Sequence, residues 1–530
     1  MDYKKTIQLE LFTQIIRVIF LLIVSYLYFN QITILNNKEI FTFFTILLIV
    51  INFAEYIRYL YVENHNDWRI YISPIIVCSG FVLVFQYGLT NILFITDWFN
   101  LGPLGVADGA EISSSMNKLV LLAIIGSIGL WSGYDSKLAK FLIKKELVEK
   151  LCNFFPKTIK INHGSLLVAF LLSILVRIFQ ESIGIFGYCS SYLNIIEAKN
   201  YTYIFFILVN LGKMGLIIAT IMWISGEKNY KYWVILFWIS ETLLGISSGF
   251  KTSTILPTIY IFFCGLVMIK DIKKYQFIMN ISVLIIVVIL ALNINNVYRK
   301  IAIDKKINDN CSSSDITIKS VEALLNENFT QERKDWQPKI YKDINKFENE
   351  DQINTFENNN ISRIGIIFAR FNFTYVGSYG ILFIDHKLGE WPSHLYNLII
   401  SPIYAWVPRI LWSSKPLGNT GYLYNTKILG SDTFSSTGMG PVTYLYMAGG
   451  LIPIFTIFYI IGLIQKIFTQ LIYSKNQVLG AILFVTLFSN LTFIESSVDT
   501  YFHDLFRLLP INILIIYLFF VNKKNVFTKT

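Results

Sequence analysis

The chain has 530 residues, of which 54% are hydrophobic and 15% are charged, and its net charge is +10 at pH 7. Ordinary soluble domains are excluded, because about a quarter of their residues are charged. Apolar runs long enough to cross a bilayer recur along nearly the whole length, which predicts an all-α polytopic integral membrane protein. The five cysteines have no paired spacing, so the sequence predicts neither a disulfide framework nor a metal site.

Twelve apolar segments are predicted to be transmembrane helices. In chain order they are 7–28, 40–60, 70–95, 119–131, 166–185, 201–224, 232–246, 254–269, 277–292, 444–463, 478–493 and 508–521. Two further apolar segments, 364–384 and 395–411, carry arginines and prolines, and a charge in a lipid-exposed span is costly. These two are either interfacial helices or re-entrant pieces, or both cross and raise the count to fourteen.

Basic residues determine the predicted topology, because short cytoplasmic loops are enriched in Lys and Arg. The loop after the fourth segment carries Lys137, Lys140, Lys144, Lys145, Lys150, Lys157 and Lys160. Counting outward from this loop places both termini in the cytoplasm. The chain then divides into nine transmembrane helices over 1–292, a large extracytoplasmic loop over 293–441, and three helices with a cytoplasmic tail over 442–530. Topology therefore accounts for much of the positive charge, and no nucleic-acid partner is predicted.

The first part of the extracytoplasmic loop contains one predicted helix, 315–325. Asp315 is its expected N-cap, and Ile318, Val321, Ala323 and Leu325 give it an apolar side. The surrounding residues are rich in Asn, Lys, Asp and Glu and show no enzyme motif, which indicates a lightly folded insertion over the membrane face.

A short segment rich in proline, tryptophan and cations lies late in the same loop. Pro408 and Pro416 bracket it and stiffen it, because proline fixes φ and removes a backbone donor. Trp412 favours the membrane–water boundary. Arg409 and Lys415 would meet anionic headgroups or phosphates there. The segment is either an interfacial anchor with snorkelling cations or an anion-binding site.

A stripe of titratable residues is predicted before the last span. Glu495, Asp499 and His503 are four residues apart and would share one face of a helix. Such a stripe can deprotonate a hydroxyl group or hold sugar hydroxyls, and it can equally be a solvated helix end. One histidine with two acids and no second cluster is too little for a metal site, so no metal is predicted.

These features resemble the bacterial O-antigen or oligosaccharide repeat-unit polymerases. The residues that carry the resemblance in the external loop are Pro408, Arg409, Trp412, Lys415 and Pro416. A Gly- and Thr-rich stretch follows at 435–440, and Arg363 and Arg370 match an arginine-bearing helix that precedes the segment. A small-residue turn after the seventh span ends in Lys251, where arginine is usual in the family.

The resemblance implies a GT-C-like glycosyltransferase in the bacterial plasma (inner) membrane. Its substrate would be an oligosaccharide repeat unit on undecaprenyl or another polyprenyl diphosphate, polymerised into O-antigen of lipopolysaccharide, capsule or exopolysaccharide. No cofactor is implied, and the implied partners are the lipid-linked oligosaccharide, membrane lipids, a flippase and a chain-length regulator. The resemblance implies Arg409 as a catalytic residue, and the need for a base adds the stripe residues Asp499, His503 and Glu495 as catalytic candidates. The implied substrate-binding residues are Lys251, Arg363, Arg370, Lys415 and Trp412.

Two other membrane functions are open at this point. A lipid-linked oligosaccharide flippase or transporter should line a cavity within its spans with cations, whereas the cations above are predicted outside. The spans over 166–292 hold few internal charges apart from Arg177, Lys213 and Glu241. A ligase-type transferase, which moves a finished chain to another acceptor, is a near neighbour of the polymerase.

Overall fold

The structure of the chain is a computed structural model. The described stretches are 3–29, 38–63, 73–95, 110–142, 161–190, 201–268, 313–325, 372–386, 420–429, 438–473, 477–493 and 498–520, with isolated positions at 198 and within 282–302 and 391–412. Within these residues every regular element is a helix and no β-strand occurs. The predicted all-α class is therefore confirmed over the described stretches.

The α-helices are numbered in chain order, except for the six-residue helix Lys137–Leu142, which is left unnumbered. The first eight are α1 (Tyr3–Phe29), α2 (Lys38–Glu63), α3 (Pro74–Val77, continued by π-helical Cys78–Leu89 and α-helical Thr90–Ile95), α4 (Ala110–Tyr134), α5 (His163–Ser182), α6 (Thr202–Ile224), α7 (Tyr230–Ser248) and α8 (Lys251–Met268). The remainder are α9 (Ser313–Leu325), α10 (Phe373–Asp385), α11 (Thr420–Lys427), α12 (Pro441–Gly449), α13 (Leu451–Ile472), α14 (Gln477–Phe493) and α15 (Val498–Ile515, continued by π-helical Ile516–Phe520).

Eight of the described helices are long and apolar enough to cross a membrane: α1 to α6, α13 and α15. The predicted spans 232–246, 254–269 and 478–493 correspond to α7, α8 and α14, which are helical but fall short of that length or hydropathy. Most of the predicted span 277–292 lies outside the described residues. A multi-pass helical membrane protein follows, and the count of twelve to fourteen spans stays a prediction.

The core of the bundle is the pairing of α4 with α13. Helix α4 is almost wholly buried, and the two backbones approach closely at glycines. A Cβ at Gly133 would collide with the carbonyl oxygen of Tyr459, and one at Gly462 would collide with that of Leu130. Small residues permit such contact between membrane helices, whose association depends on close packing rather than on the hydrophobic effect. The central helix therefore provides a rigid support for the elements around it.

A buried ionic network ties α1 and α2 to the end of α4. The Arg17 guanidinium donates to both carboxylate oxygens of Glu55, at 2.5 and 2.6 Å, and to Asp135 at 2.7 Å. Arg58 donates to Glu55 at 2.7 Å and also bonds Asp135. Because each arginine faces two carboxylates, the charges compensate one another at low exposure. We interpret this network as structural.

Helix α9 confirms the helix predicted over 315–325 but corrects its details. It begins at Ser313, so Asp315 lies in the first turn rather than at the N-cap. Its buried face carries Ile316 and Ser320, whereas Ile318 is 60% exposed. The buried face packs with Tyr298 in a small separate cluster, which selects a different side of the helix from the predicted one.

Two glycines end the α12 helix and start α13. The sequence predicts one span over 444–463, but Gly450 has φ 79° and separates Pro441–Gly449 from Leu451–Ile472. A left-handed φ suits glycine and breaks a right-handed helix. The predicted span was therefore wrong in its start, and α12 is a short separate helix before it.

Cys189 corrects the expectation that the cysteines form no disulfide. It lies in the short turn after α5, and its thiol is disulfide-bonded to a residue outside the described stretches. Cys189 packs against the same cluster as α9.

Candidate functional site

Three short helices, α10, α11 and α12, form a buried platform between the spans. Helix α10 has 13 residues, which is too short to cross a bilayer, and most of it is buried. The Tyr424 hydroxyl on α11 donates to the Val376 carbonyl at 2.5 Å and accepts from the Gly380 amide at 3.0 Å. Burial raises the pKa of Tyr424, so its hydroxyl stays a neutral donor. Of the alternatives for 364–384, this burial favours a re-entrant piece held within protein.

The same helix α11 contacts the start of the last span. The Thr420 hydroxyl donates to Oδ2 of Asp499 at 3.1 Å, across 79 positions of sequence. Thr420 follows shortly after Lys415 and Pro416 in the chain. The contact therefore brings the segment after the Pro-Arg and Lys-Pro motif to one carboxylate of the predicted stripe.

A second acidic group on α15 lies one turn further along. Asp504 is buried, and its Oδ1 contacts Nδ1 of His503 at 3.2 Å and accepts from Arg507 at 2.9 Å. The Arg507 guanidinium also lies 4.0 Å from the ring centroid of Phe206 on α6. His503 is thus oriented by Asp504 rather than by Asp499.

The predicted stripe is therefore brought together only in part. Asp499 and His503 share helix α15, as the four-residue spacing predicts, but their side chains have different partners. Glu495 lies outside the described residues. The roles of all three in catalysis stay predictions.

The cationic residues of the predicted site are mostly beyond the described stretches. Arg363, Arg370, Arg409 and Lys415 lie outside them, and Trp412 is partly buried. Lys251 is the first residue of α8 and follows a turn in which Gly249 has φ 69°. A tight small-residue turn at this point, as the sequence indicates, is confirmed, and the Lys251 side chain is outside the description.

No family model, curated protein or solved structure matches this chain. The assignment of the site therefore depends on its geometry and chemistry alone.

A cluster of polar side chains that no sequence pattern indicates joins α4, α10 and α12. Lys118 donates to Oδ2 of Asp385 at 2.6 Å and to the Tyr446 hydroxyl at 2.5 Å, and that hydroxyl donates to Oδ1 of Asp385 at 2.6 Å. Burial and the hydrogen bond to Asp385 raise the pKa of Tyr446, so it remains a neutral donor. Lys118 and Asp385 are 267 positions apart, and no local pattern could have paired them.

A charged cavity within the spans is the second feature that the sequence analysis missed. Its volume is about 180 Å³, and Lys213, Asp504 and Arg507 contribute to its lining. Nearby, Arg177 makes a bidentate pair with Glu241, with both hydrogen bonds at 2.7 Å. In the sequence, the charges on α5, α6 and α7 are single residues far apart. The fold brings them close to one another and to Asp504 and Arg507 of α15. Cations therefore do line a cavity within the bundle, as a transporter would require.

Proposed function

We propose that this protein is a glycosyltransferase that polymerises polyprenyl-diphosphate-linked oligosaccharide repeat units into a surface polysaccharide. The reaction takes place on the outer side of a bacterial plasma membrane, within a GT-C-like bundle of twelve to fourteen spans. The motif residues Arg409 and Lys415 hold the diphosphate of the donor. Asp499 or its neighbours on α15 accept the proton of the acceptor hydroxyl.

The observation that carries this proposal is the hydrogen bond between Thr420 and Asp499. It supports a site in which the chain leaving the Lys-Pro motif meets a carboxylate on the last span. A glycosyl transfer requires both of these chemical groups, a cation for the leaving phosphate and a base for the acceptor hydroxyl. The platform of α10, α11 and α12 is anchored by Tyr424 and by the α4–α13 core, which favours a fixed geometry around Thr420.

The proposed step moves one glycosyl unit. The acceptor hydroxyl oxygen forms a bond to the anomeric carbon of the donor, while the bond from that carbon to the diphosphate oxygen breaks. The hydroxyl proton passes to the carboxylate of Asp499, and the bonding electrons leave with the lipid diphosphate. Arg409 and Lys415 compensate the negative charge that develops on that leaving group.

Two independent features support the proposed orientation with cytoplasmic termini. The lysine-rich segment after α4 favours the cytoplasm for that end of the bundle. At the opposite end of α5, Cys189 is in a disulfide, and disulfides persist in oxidising compartments outside the cytoplasm. Helix α9 packs beside Cys189, which supports the outer side for the large loop.

Thiol labelling tests this orientation. The exposed residue Lys319 on α9 is the outer position, and the exposed residue Lys231 at the start of α7 is the inner one. In intact cells, we expect a membrane-impermeant thiol reagent to label Lys319→Cys above the parent chain and to leave Lys231→Cys at the parent level. After the membrane is opened, both should react. Reaction of both before opening, or of Lys231→Cys alone, would contradict the orientation.

One observation favours a second candidate, a transporter for the lipid-linked oligosaccharide. Lys213 and Arg507 line a cavity inside the bundle, which is where a carrier for an anionic lipid would hold its cargo. The cavity volume of about 180 Å³ is nevertheless smaller than the roughly 300–1,000 Å³ of pockets that enclose drug-sized ligands. A multi-sugar unit does not fit there, and the polymerase remains the better-supported function.

Deletion of the gene distinguishes the three functions by the product that accumulates. Loss of a polymerase should leave surface glycan of a single repeat unit, because export and attachment continue. Loss of a transporter should remove surface repeat units altogether, and loss of a ligase should leave long polymer on the lipid carrier. Gel analysis of the surface and lipid-linked glycan in the deletion strain identifies which product accumulates. The same strain with the intact gene restored is the control.

A further inference from the structure

Several side-chain polar atoms that line the cavity between α6, α14 and α15 have no hydrogen-bond partner among the described residues. Lys213, near the middle of α6, makes no hydrogen bond or ion pair with the described residues. Asn210 is 2% exposed, and its Nδ2 has no partner among them. Nε of Arg507 is also buried and unpartnered. A buried donor without an acceptor is destabilising, so such a group commonly marks a site for a ligand or ordered water.

The charges around this cavity do not cancel. Arg177 is paired with Glu241, and Arg507 is paired with Asp504. Lys213 lies within electrostatic range of both pairs but is paired with neither carboxylate, so its ammonium form needs a further anion as counter-ion. An unpaired charge inside a membrane bundle is costly and by default indicates a functional site with an anionic partner.

We propose that this cavity binds an oxyanion of the phosphate class, with Lys213, Arg507 and Asn210 as its donors. Three donors of this kind suit the several acceptor oxygens of one phosphate group. The cavity holds roughly six waters at about 30 Å³ each, which leaves room for a phosphate and some hydration. The unpartnered Oδ1 of Asn512, whose Nδ2 donates to Thr486, can accept from a P–OH group.

The site stands on the cavity alone and does not depend on the sugar chemistry proposed above. Phosphate could come from solution or from the headgroup of a lipid, and both present the same oxygens. The binding assay contains no sugar, so failure of glycosyl transfer and failure of this site are separately visible.

The test is the melting temperature of the purified full chain in an uncharged detergent, because a ligand that binds the folded state raises it. In one arm, inorganic phosphate replaces chloride at constant ionic strength. In the other, a short-chain phosphatidic acid is compared with a zwitterionic phosphatidylcholine. We expect a saturable rise in at least one arm. A rise with phosphatidic acid alone would identify a lipid headgroup as the source, and a rise with inorganic phosphate would identify a free anion as sufficient.

Two variants and a matched control make the result specific to the cavity. Lys213→Met and Asn210→Leu should each raise the ligand concentration that gives the half-maximal rise in melting temperature at least tenfold. Each variant removes a donor to a charged ligand and so weakens its binding. Lys466→Met is the control, since Lys466 is a lysine on another span, with its ammonium 4.5 Å from the Tyr134 ring centroid. It should respond as the parent chain does.

Asn210→Leu keeps the test valid if Lys213→Met fails to fold. The substitution removes a buried, unpartnered donor, so the chain without ligand should be at least as stable as the parent. No rise in either arm would mean a cavity holding only water and would overturn the proposal. If Asn210→Leu responded like the parent chain in the arm that raises the parent's melting temperature, the proposal would also be overturned.

Discussion

Asp499→Asn should lower chain extension about a hundredfold or more, which is the usual minimum for loss of a general base. The amide keeps an oxygen in the position that accepts from Thr420, so the contact between α11 and α15 survives while proton acceptance is lost. Polymer formation per inserted protein is the quantity to measure. Glu227→Gln is the control, because it makes the same chemical change at an exposed carboxylate between α6 and α7.

Thr420→Val separates a chemical role of Asp499 from a structural one. The valine removes the donor and leaves the carboxylate, so a loss of about tenfold or less is expected from one hydrogen bond of roughly 0.5–1.5 kcal/mol. If Asp499→Asn extends chains normally, the residue is structural. Equal and large losses in both variants, with lowered melting temperatures, would mean that the contact holds the fold and that the base lies elsewhere.

Arg409→Lys should keep folding and insertion but lower polymerisation about ten- to a hundredfold, the effect of losing one charge-assisted contact of roughly 1.5–3 kcal/mol. The guanidinium binds phosphate oxygens in a planar fork that an ammonium does not copy. Arg409 lies outside the described residues, so this expectation rests on its place between Pro408 and Trp412 in the sequence. Turnover is to be normalised to inserted protein.

The reciprocal variant Lys415→Arg is the matched control for Arg409→Lys. It also exchanges one cation for the other within the same motif. Because it introduces a guanidinium group rather than removing one, activity should be retained. An interfacial anchor would tolerate lysine at position 409, because both side chains snorkel. Near-normal polymerisation by Arg409→Lys would therefore indicate that Arg409 is an interfacial anchor and does not bind the diphosphate.

Hydropathy was sufficient to predict the helical class, because a long apolar run in lipid must satisfy its own backbone hydrogen bonds. It was not sufficient for helix ends. The start of α13 is set by the left-handed φ of Gly450, and the buried face of α9 is set by Tyr298 and its cluster. Both features depend on backbone conformation or tertiary contacts, which the hydrophobic periodicity of the sequence does not reveal.

The candidate site was predictable only where its members are close in sequence. Spacing alone places Asp499 and His503 on one helix, and the structure has both on α15. The contact of Asp499 with Thr420 spans 79 positions, and that of Lys118 with Asp385 spans 267. A single sequence carries no signal for such pairs. The unmatched cation at Lys213 was visible as a charge in a span, but its cavity required the packing of α6 against α14 and α15.

The most direct test of the central claim is reconstitution of the purified protein in lipid vesicles with purified polyprenyl-diphosphate-linked repeat unit. The readout is the number of repeat units per lipid carrier, followed over time by gel or mass spectrometry. A polymerase should produce a ladder of lipid-linked chains two, three and more units long, with free polyprenyl diphosphate released at each addition. Repeat units that stay single, whether or not they cross the bilayer, would contradict the proposed function.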